Sequence, residues 1–371
     1  RIGAYAKDQL ARRPEPDDDA AGRREARELL AGLGAAGWLH PVLKQDFRAL
    51  CVIREALAWA SPLADAVFAL QALGSMPVQL AGTTAVKDRW LTAVANGQAM
   101  AAFAMTEVEA GSDVGSLSMR ATRKGDQYSL NGAKTLISNA GIADFYTVFA
   151  STDPAQGRKG ISCFLVPATT PGLRFVRPLE ISTPHPLGEI AFEDCRVPVE
   201  YRLGEEGGGL RLGLATLDRL RPTVGAAACG MAQRALDEAL AHASARRQFG
   251  RPLADFELIQ EKLARMATDL VAARLLVYRA AWERDHGKER TTLEAAMAKA
   301  FATEAAQRIV DDAVQILGGR GLLADHPVDR LYRAVRALRI YEGTTEIQQL
   351  IIAGELLKDA KRFADEVKRP Y

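Results

Sequence analysis

The spacing of apolar residues changes twice along the 371-residue chain, and this change limits the possible folds more than any other feature of the sequence. Over residues 26–35, 47–60, 64–73 and 85–95 the apolar residues recur at helical spacing. Between residues 101 and 192 the apolar segments are short and bounded by turn residues, which predicts strands. From Leu210 onwards long helical patterns return. The chain is therefore predicted to run from a helical region through a β region into a second helical region.

This order predicts an α+β multidomain fold with three parts. We expect an N-terminal helical domain over residues 1–98, a middle antiparallel β-barrel over 99–208 and a C-terminal four-helix bundle over 209–371. The bundle helices are predicted at 210–244, 256–286, 293–317 and 344–365, and such long helices suit a four-helix bundle. Pro222 is predicted to kink or interrupt the first of them, because proline removes a backbone donor.

Two dipeptides predict tight turns between neighbouring strands of the β region. Gly125-Asp126 and Asn131-Gly132 are both typical of hairpin turns, so strands are expected at 118–124, 127–130 and 134–137. Further strands are expected at 101–105, 145–150, 161–166, 173–176 and 190–192. Short strands that follow one another without intervening helices indicate an antiparallel barrel or sandwich.

The composition excludes several classes of protein. Lys and Arg number 48 against 46 Asp and Glu, and this balance argues against a nucleic-acid partner or a polybasic membrane patch. No apolar run approaches the ~18 residues of a membrane span, so none is expected. The four cysteines are scattered without a CxxC pair, and the five histidines show no ligand spacing, so neither a disulfide framework nor a metal site is expected.

The same cysteine usage predicts a reducing compartment. We expect a cytoplasmic, bacterial-type protein. The sequence begins at Arg1 rather than at a methionine, so a removed leader, and with it the mitochondrial matrix, stays an open alternative.

Gly32, Gly34 and Gly37 match the spacing of a dinucleotide-binding fingerprint. That fingerprint works only between a strand and a helix N-terminus, where backbone amides face the pyrophosphate. Here a predicted helix precedes the glycines and Trp38 to Pro41 follow them. We therefore interpret them as a helix-ending turn, and we expect no Rossmann-type nucleotide site.

Five other segments contain residues that could carry chemistry. They are FAMTEVEAGSD at 103–113, KTLISN at 134–139, RRQFG at 246–250, QILGG at 315–319 and IYEGTTEIQ at 340–348. Each alone has an ordinary interpretation: a strand with a polar turn, a strand end, arginines at a helix end, helix-ending glycines, and an exposed acid before a helix. In the last segment Thr344 is predicted to be the helix N-cap.

Together, these five segments resemble the motifs of the acyl-CoA dehydrogenase family. TEVEAGSD resembles TEPGAGSD, RRQFGRPL resembles RxxFGxPL, and QILGGRG and IYEGTTEIQQLIIAGELL match almost without change. The C-terminal match is most similar to the short- and medium-straight-chain branches. The resemblance implies an FAD-dependent oxidation of an acyl-CoA thioester to the trans-2-enoyl-CoA, as in fatty-acid β-oxidation. It also implies a homotetramer that passes electrons to electron-transfer flavoprotein.

The resemblance implies that Glu342 is the catalytic base, which removes the proton α to the thioester while a hydride leaves the β carbon for flavin N5. Desolvation by substrate and flavin would bring the pKa of such a carboxylate near the working pH. Some relatives carry the base on another helix. The matching position here is Leu220, which cannot accept a proton, so Glu342 is the sole candidate.

The resemblance also implies which residues bind the cofactor and the substrate. Matching positions for FAD are Phe103, Met105, Thr106, Ser112, Leu136 and Ser138 in the β region, and Arg246, Phe249, Gln315, Gly318, Gly319, Thr344 and Glu346 in the bundle. Arg246, with Phe249, Gln315 and the two glycines, is expected to reach the FAD of a neighbouring subunit. Matching positions for the acyl-CoA are Ser112, Asp218, Arg221 and Gly343.

Several positions depart from the family pattern. Val108 and Glu109 stand where the motif has Pro and Gly, and Leu136 stands where a tryptophan usually packs on the flavin. Glu257 replaces a glutamine, and the stretch over 178–195 reads PLEISTPHPLGEIAFEDC, unlike its relatives. We expect residues 178–189, which include His185, to adjust substrate access.

These departures leave two other functions open. One is an enzyme of the same fold with a different acceptor or substrate, such as an oxidase that uses dioxygen or a dehydrogenase of acyl carrier protein. The other is a non-catalytic helical scaffold. The retained Glu342, Arg246 and Thr344 argue against the scaffold.

Overall fold

The structure of the chain, a computed structural model, describes the backbone of residues 1–367 and the side chains of residues 1–360. The last four residues of the predicted C-terminal domain, 368–371, lie outside the described residues. The described chain forms two compact units. The first consists of Arg1–Asp46 and Leu63–Leu217, and the second consists of Phe47–Pro62 and the residues from Asp218 onwards.

The helices of the N-terminal region are short to medium in length. They are α1 (Ile2–Tyr5), which continues into a π-helical turn at Ala6–Leu10, α2 (Asp19–Ala35), α3 (His40–Lys44), α4 (Phe47–Ala60), α5 (Pro62–Ala81) and α6 (Thr84–Ala95). Asp18 caps α2 by accepting a hydrogen bond from Ala21 N, and Thr83 caps α6 through Val86 N. The four predicted helices of this region are confirmed, whereas α1 and α3 are too short to give a periodic signal.

The glycines that mimic a dinucleotide fingerprint have a packing role. Gly32 and Gly34 lie inside α2, and Gly37 follows it with φ +75°. A Cβ atom at Gly34 would lie 2.3 Å from the backbone oxygen of Asn96, so only glycine allows α2 to approach the end of α6 this closely. The prediction that these glycines form no nucleotide site of the Rossmann type agrees with this helical setting.

The β region forms one eight-stranded sheet. Its strands are β1 (Ala101–Ala104), β2 (Arg120–Lys124), β3 (Gln127–Ser138), β4 (Phe145–Ser151), β5 (Ile161–Pro167), β6 (Leu173–Pro178), β7 (Leu187–Pro198) and β8 (Arg202–Leu203). Along the sheet the order is β6-β7-β3-β2-β4-β5-β8, and β1 pairs with β4. The sheet is mixed rather than purely antiparallel as predicted, because β1 and β2 both run parallel to β4.

The two predicted turns of this region have different outcomes. Gly125-Asp126 joins β2 to β3, as expected for a two-residue hairpin. Asn131-Gly132 is not a turn: β3 continues through it, with a register shift between Leu130 and Gly132 where it pairs with β7. The extra residue is accommodated as a bulge, and Asn131 Oδ1 accepts a hydrogen bond from Asp194 N on β7.

The second unit is built from long helices. They are α7 (Gly209–Ala245), which begins in the first unit, α8 (Glu257–Asp285), α9 (Thr292–Leu317), α10 (Pro327–Leu338) and α11 (Thr345–Val367). A small hairpin, β9 (Arg247–Gln248) with β10 (Arg251–Pro252), joins α7 to α8. The four predicted bundle helices are confirmed. Helix α10 lies in a stretch for which no helix is predicted. Helix α7 continues through Pro222, so the predicted interruption is wrong, whereas the alternative, a kink at this residue, stays a prediction.

Helix α4 packs with the long helices, although it comes early in the chain. Glu55 of α4 accepts hydrogen bonds from Arg274 Nε at 2.8 Å and Tyr278 Oη at 2.7 Å, both on α8. A Cβ at Gly230 of α7 would lie 2.1 Å from the Glu55 carbonyl oxygen, so the two helices touch backbone to backbone. The boundaries 1–98, 99–208 and 209–371 remain a prediction.

Among the residues that the structure describes, one helix is long and apolar enough to cross a membrane by length and composition, whereas no such segment was expected. This helix is α5, and 83% of its most apolar window is buried inside the protein. The buried core helix of a protein can have the same length and composition, so α5 is equally well explained as an interior helix.

Candidate active site

The loop after β1 is anchored by a buried ion pair. Lys134 of β3 is 1% exposed, and its Nζ donates to Glu107 Oε1 at 2.8 Å and to the Met105 carbonyl at 3.0 Å. The other oxygen of Glu107 accepts from the backbone and hydroxyl of Ser118, and Oε1 also accepts from Met119 N. The carboxylate therefore ties the loop to β3 and to the two residues that precede β2.

Electrostatics favour the charged form of Glu107. Burial would raise the pKa of this carboxyl group, but the Lys134 ammonium and the Ser118 hydrogen bonds outweigh it, so the pKa is lowered. Burial lowers the pKa of Lys134 to about 8, against the attraction of Glu107. Both groups are therefore charged at neutral pH.

The predicted cofactor residues of this loop lie at its start and its outer edge. Phe103 is half-buried with its ring 5.0 Å from that of Phe149, Met105 is buried, and the Thr106 carbonyl accepts from Thr135 N at 3.1 Å. Ser112 is exposed on the outer part of the loop. The departing residues Val108 and Glu109 occupy an exposed turn that the Glu107–Ala110 backbone pair closes, so the turn forms without the family's Pro and Gly.

The end of β3 places two predicted residues on a distorted strand. The register with β7 shifts between Lys134 and Ile137, and inside this bulge Leu136 has φ +55° and is 55% exposed. Ser138 follows, and its Oγ lies 2.7 Å from Nε2 of His185 in the loop between β6 and β7. Burial lowers the pKa of His185 to about 4, so this imidazole is neutral at physiological pH.

In the second unit, the backbone at Glu342 is held by three side chains from three helices. The Glu342 carbonyl accepts from Arg221 Nε on α7 at 3.2 Å and from Gln348 Nε2 on α11 at 3.3 Å. The Gly343 carbonyl accepts from Lys299 Nζ on α9 at 2.7 Å and from the same Gln348 amide at 3.1 Å. Glu342 and Gly343 have φ values of +54° and +93°, so two successive residues are left-handed.

The predicted substrate pair lies directly beside this segment. Asp218 and Arg221 form an ion pair one turn apart on α7, and Asp218 Oδ2 also accepts from Thr292 Oγ1 at 2.8 Å. Arg221 is 4% exposed; burial lowers the pKa of its guanidinium, and the charges of Asp218 and Glu342 oppose that shift. Leu220, at the alternative position for a base, is buried.

Helix α11 begins as predicted, with Thr344 as its N-cap. Thr344 Oγ1 accepts from Ile347 N at 3.3 Å, and α11 starts at the next residue. Glu346 is exposed in the first turn, where a hydrogen bond from its own backbone amide, and then the Thr344 hydroxyl, lower the pKa of its carboxyl group.

A separate, exposed group of predicted residues lies at the far ends of α7 and α9. Arg246 and Gln315 are exposed, and Phe249, at the tip of the β9–β10 hairpin, is 94% exposed. Gly318 and Gly319 have open space where a Cβ would be. Burial, followed by the charges of Arg320 and Arg246, lowers the pKa of His242 near the end of α7.

Backbone strain marks three predicted site residues. The described residues include six non-glycine residues with left-handed φ, and Leu136, Phe249 and Glu342 are among them. Such a conformation costs on the order of 1–3 kcal/mol and persists where the surroundings enforce it, often at functional sites. The backbone conformation is observed independently of the sequence motifs, and it marks three of the residues that the motifs predict for the site.

Each unit by itself offers groups of the kind that bind FAD. An anionic diphosphate is bound by hydroxyls, backbone amides and arginine forks; the first unit offers the hydroxyls of Thr106 and Ser112, and the second offers the guanidinium of Arg246. In the second unit, the open space at Gly318 and Gly319 lets a ligand approach the backbone, and Phe249 exposes an apolar ring; in the first unit, Leu136 exposes an apolar side chain. Within the described residues, no group of His, Cys, Asp and Glu could hold a metal ion.

Four contributors were missed by the sequence interpretation. Three of them bind backbone carbonyl oxygens of predicted site residues and are Lys134, Lys299 and Gln348; the fourth is Glu107, which pairs with Lys134. Only Lys299 gave a signal: it is a lone lysine on the alanine-rich face of α9. A charged residue on an apolar helix face indicates a buried partner.

Comparisons with known proteins agree with this arrangement. Family models described as the acyl-CoA dehydrogenase N-terminal, middle and C-terminal domains match residues 2–98, 102–195 and 207–357. The probable acyl-CoA dehydrogenase FadE25 of Mycobacterium tuberculosis is 38% identical over 367 residues, which cover 96% of this chain and 94% of the relative.

A second relative and one solved structure are also similar. The mitochondrial short-chain specific acyl-CoA dehydrogenase of Rattus norvegicus is 45% identical over 76% of this chain and 69% of its own length. The structure of butyryl-CoA dehydrogenase from Megasphaera elsdenii superposes with a TM-score of 0.90 at 35% identity, covering 96% of each chain.

Proposed function

The chain belongs to the acyl-CoA dehydrogenase family, and on that premise we propose that it oxidises an acyl-CoA thioester to the trans-2-enoyl-CoA with Glu342 as the base. Like its relatives it is an FAD-dependent oxidoreductase. The observation that supports the proposal is the left-handed Glu342-Gly343 segment, held by side chains of three helices beside Asp218 and Arg221. Leu220 leaves no competing carboxylate at the alternative position.

The chain's own residues have distinct roles in this reaction. Glu342 takes the proton from the carbon α to the thioester, and its fixed backbone limits where the carboxylate can reach. Asp218 and Arg221 hold the acyl-CoA and keep the base in place. FAD, when bound, accepts the hydride that leaves the β carbon. One proton and one hydride leave the substrate, and the new double bond joins the two carbons.

We propose a short, straight acyl chain as the substrate class. Support comes from relatives named for short-chain acyl-CoA and butyryl-CoA, and from the sequence match around Glu342. Beta-oxidation is the pathway type this implies. We also propose a reducing compartment, the cytoplasm with the mitochondrial matrix as the alternative, because the four cysteines are scattered without a CxxC pair.

The exposed group at Arg246, Phe249, Gln315, Gly318 and Gly319 supports a shared cofactor site. We propose a homotetramer in which this group reaches the FAD of a neighbouring subunit, because symmetric assemblies present the same surface to each partner. Electron-transfer flavoprotein is the proposed electron acceptor.

The test is anaerobic bleaching of the flavin band by a panel of acyl-CoA thioesters of different length and branching. We expect a yellow protein with one FAD per chain and the fastest bleaching with a short, straight chain. Hydrogen peroxide formed in air during turnover would instead assign an oxidase. Bleaching by acylated carrier protein alone would assign the carrier-protein enzyme, and a colourless protein after reconstitution with FAD would assign a scaffold.

A further inference from the structure

Lys299 is a fully buried cation in the middle of α9. Its exposed fraction is 0%, and its neighbours on the same helix face include Ala295, Ala298 and Ala302. An ammonium group in such surroundings is costly unless it is hydrogen-bonded and paired. Its Nζ donates a hydrogen bond to the carbonyl oxygen of Gly343 at 2.7 Å. Gly343 is the residue directly after Glu342.

The carbonyl that Lys299 binds belongs to a strained segment. Gly343 has a φ of +93°, a backbone conformation that residues with a Cβ rarely adopt, and a Cβ there would also lie 2.5 Å from Gln348 Nε2. Gln348 and Arg221 complete the hold on the two carbonyls of Glu342 and Gly343. Of the three donors, Lys299 is the only one that binds Gly343 alone, and it is the shortest of these contacts.

The charge of Lys299 acts on Glu342 as well. Burial lowers the pKa of Lys299 to about 8. The largest effect of a neighbouring charge on this pKa is that of Glu342, which raises it. Smaller effects come from Arg221, which lowers it, and from Glu304 and Glu346, which raise it. Arg221 is balanced by Asp218, and Glu304 is paired with Arg339. The attraction is reciprocal, so the ammonium group favours the ionised form of the Glu342 carboxylate.

We propose that Lys299 is a positioning residue for the base: it fixes the Gly343 carbonyl, thereby orients Glu342, and keeps the Glu342 carboxylate ionised. This inference rests on the function proposed above for Glu342. Lys299 does not touch the substrate in this account, and it acts only through the segment that carries the base.

The experiment compares Lys299→Met, which removes donor and charge, with Lys299→Gln, which keeps an amide donor without charge. The matched control is Lys262→Met on α8, whose Nζ pairs with Asp312 at 2.6 Å in the same unit. All are studied as FAD-loaded holoenzyme. The probe is butyryl-CoA, or whichever thioester of the panel reduces the wild-type flavin fastest.

Two measurements are made on each protein. The first is the rate of anaerobic flavin reduction at saturating thioester as a function of pH. The second is hydrogen–deuterium exchange of the backbone amides of Thr345, Ile347 and Gln348, which are hydrogen-bonded to Arg339 and Thr344. The exchange measurement needs no turnover.

We expect Lys299→Met to slow flavin reduction by about 100-fold, because a small misplacement of a reacting group has that effect. The rising limb of its pH profile should move upwards by about one unit or more, since an opposite charge has been lost. The three amides should exchange about tenfold faster, as expected for the loss of one charge-assisted hydrogen bond. Lys299→Gln should show the same shift of the pH profile as Lys299→Met, because it also lacks the charge. Its three amides should exchange more slowly than those of Lys299→Met, because glutamine still offers an amide donor.

The proposal is overturned if Lys299→Met folds and keeps the wild-type pH profile and amide exchange. It is also overturned if both variants fail to fold, as judged by far-ultraviolet circular dichroism, because the lysine would then be a part of the fold only. Glu342→Gln separates this failure from that of the proposed function. If Glu342→Gln reduces flavin normally, the base is wrong; if it is inactive while Lys299→Met is normal, only the present inference fails.

Discussion

Ser138 Oγ lies 2.7 Å from His185 Nε2, and this contact joins the distorted end of β3 to the loop between β6 and β7. The loop belongs to the stretch that departs most from the family pattern, and the strand end is expected to lie near the flavin. The sequence predicts only a role in substrate access for this loop. The contact shows that His185 also touches Ser138, a residue of the predicted cofactor site.

His185, which is half-buried, predicts a pH dependence of stability. Its folded pKa of about 4 lies below the usual value of 6.5, so the unfolded chain binds the proton more readily. Its contribution is complete above pH 6.5 and is lost as the pH falls towards 4, by up to about 3 kcal/mol. His185→Gln should flatten the fall of the melting temperature across this window. His40→Gln, at an exposed position, is the control, and an equally steep fall in His185→Gln would contradict the assignment.

Glu342→Gln tests the base directly. The glutamine keeps the size of the side chain but cannot take the α proton, so flavin reduction should slow by about 100- to 10,000-fold. Stopped-flow bleaching of the flavin band with saturating acyl-CoA measures this rate. FAD content should be unchanged. The control is Glu355→Gln. Glu355 lies on α11 and pairs with Arg290 and Lys358, and this variant should reduce its flavin at the wild-type rate.

Arg246→Ala tests the shared cofactor site. Loss of one charge-assisted contact to the diphosphate should weaken FAD retention by ~1.5–3 kcal/mol, measured as FAD released on dilution or dialysis. Arg279→Ala, an exposed arginine paired with Glu283 on α8, should retain FAD normally. Light scattering gives the assembly state of each protein. A monomer that keeps its full complement of FAD would rule out a site completed by a neighbouring subunit.

Glu107→Ala tests the anchor of the loop after β1. Removing the carboxylate leaves the Lys134 ammonium buried without its partner, which should lower the free energy of unfolding by ~3–5 kcal/mol. Glu107→Gln keeps an acceptor and should cost less. Glu193→Ala breaks the exposed pair with Arg174 and should change the stability by less than ~1 kcal/mol. Urea denaturation gives the comparison, and equal effects for Glu107→Ala and Glu193→Ala would show that the buried pair is not an anchor.

Much of the fold follows from local patterns in the sequence. Helical spacing of apolar residues places the long helices, because residues three and four apart share one helix face. The Gly125-Asp126 turn and the Thr344 cap are also local, since each depends on a few neighbouring residues. The motif around Glu342 identifies the candidate base, and Leu220 removes its rival, before any coordinate is considered.

Other features could not be predicted because they depend on partners far away in the chain. Asn131-Gly132 has the composition of a turn, but pairing with β7 carries β3 through it. Helix α4 packs with α8, more than two hundred residues later, through Glu55 and Tyr278.

The candidate site divides along the same line. The sequence by itself determined the residue types that can carry the chemistry, because a carboxylate, a hydroxyl and an arginine are recognisable in their local motifs. Only the tertiary structure decided that Lys299 reaches Gly343 and that His185 reaches Ser138. The physical reason is that a buried hydrogen bond forms between groups brought together by packing, and neither partner's local sequence encodes the distance between them.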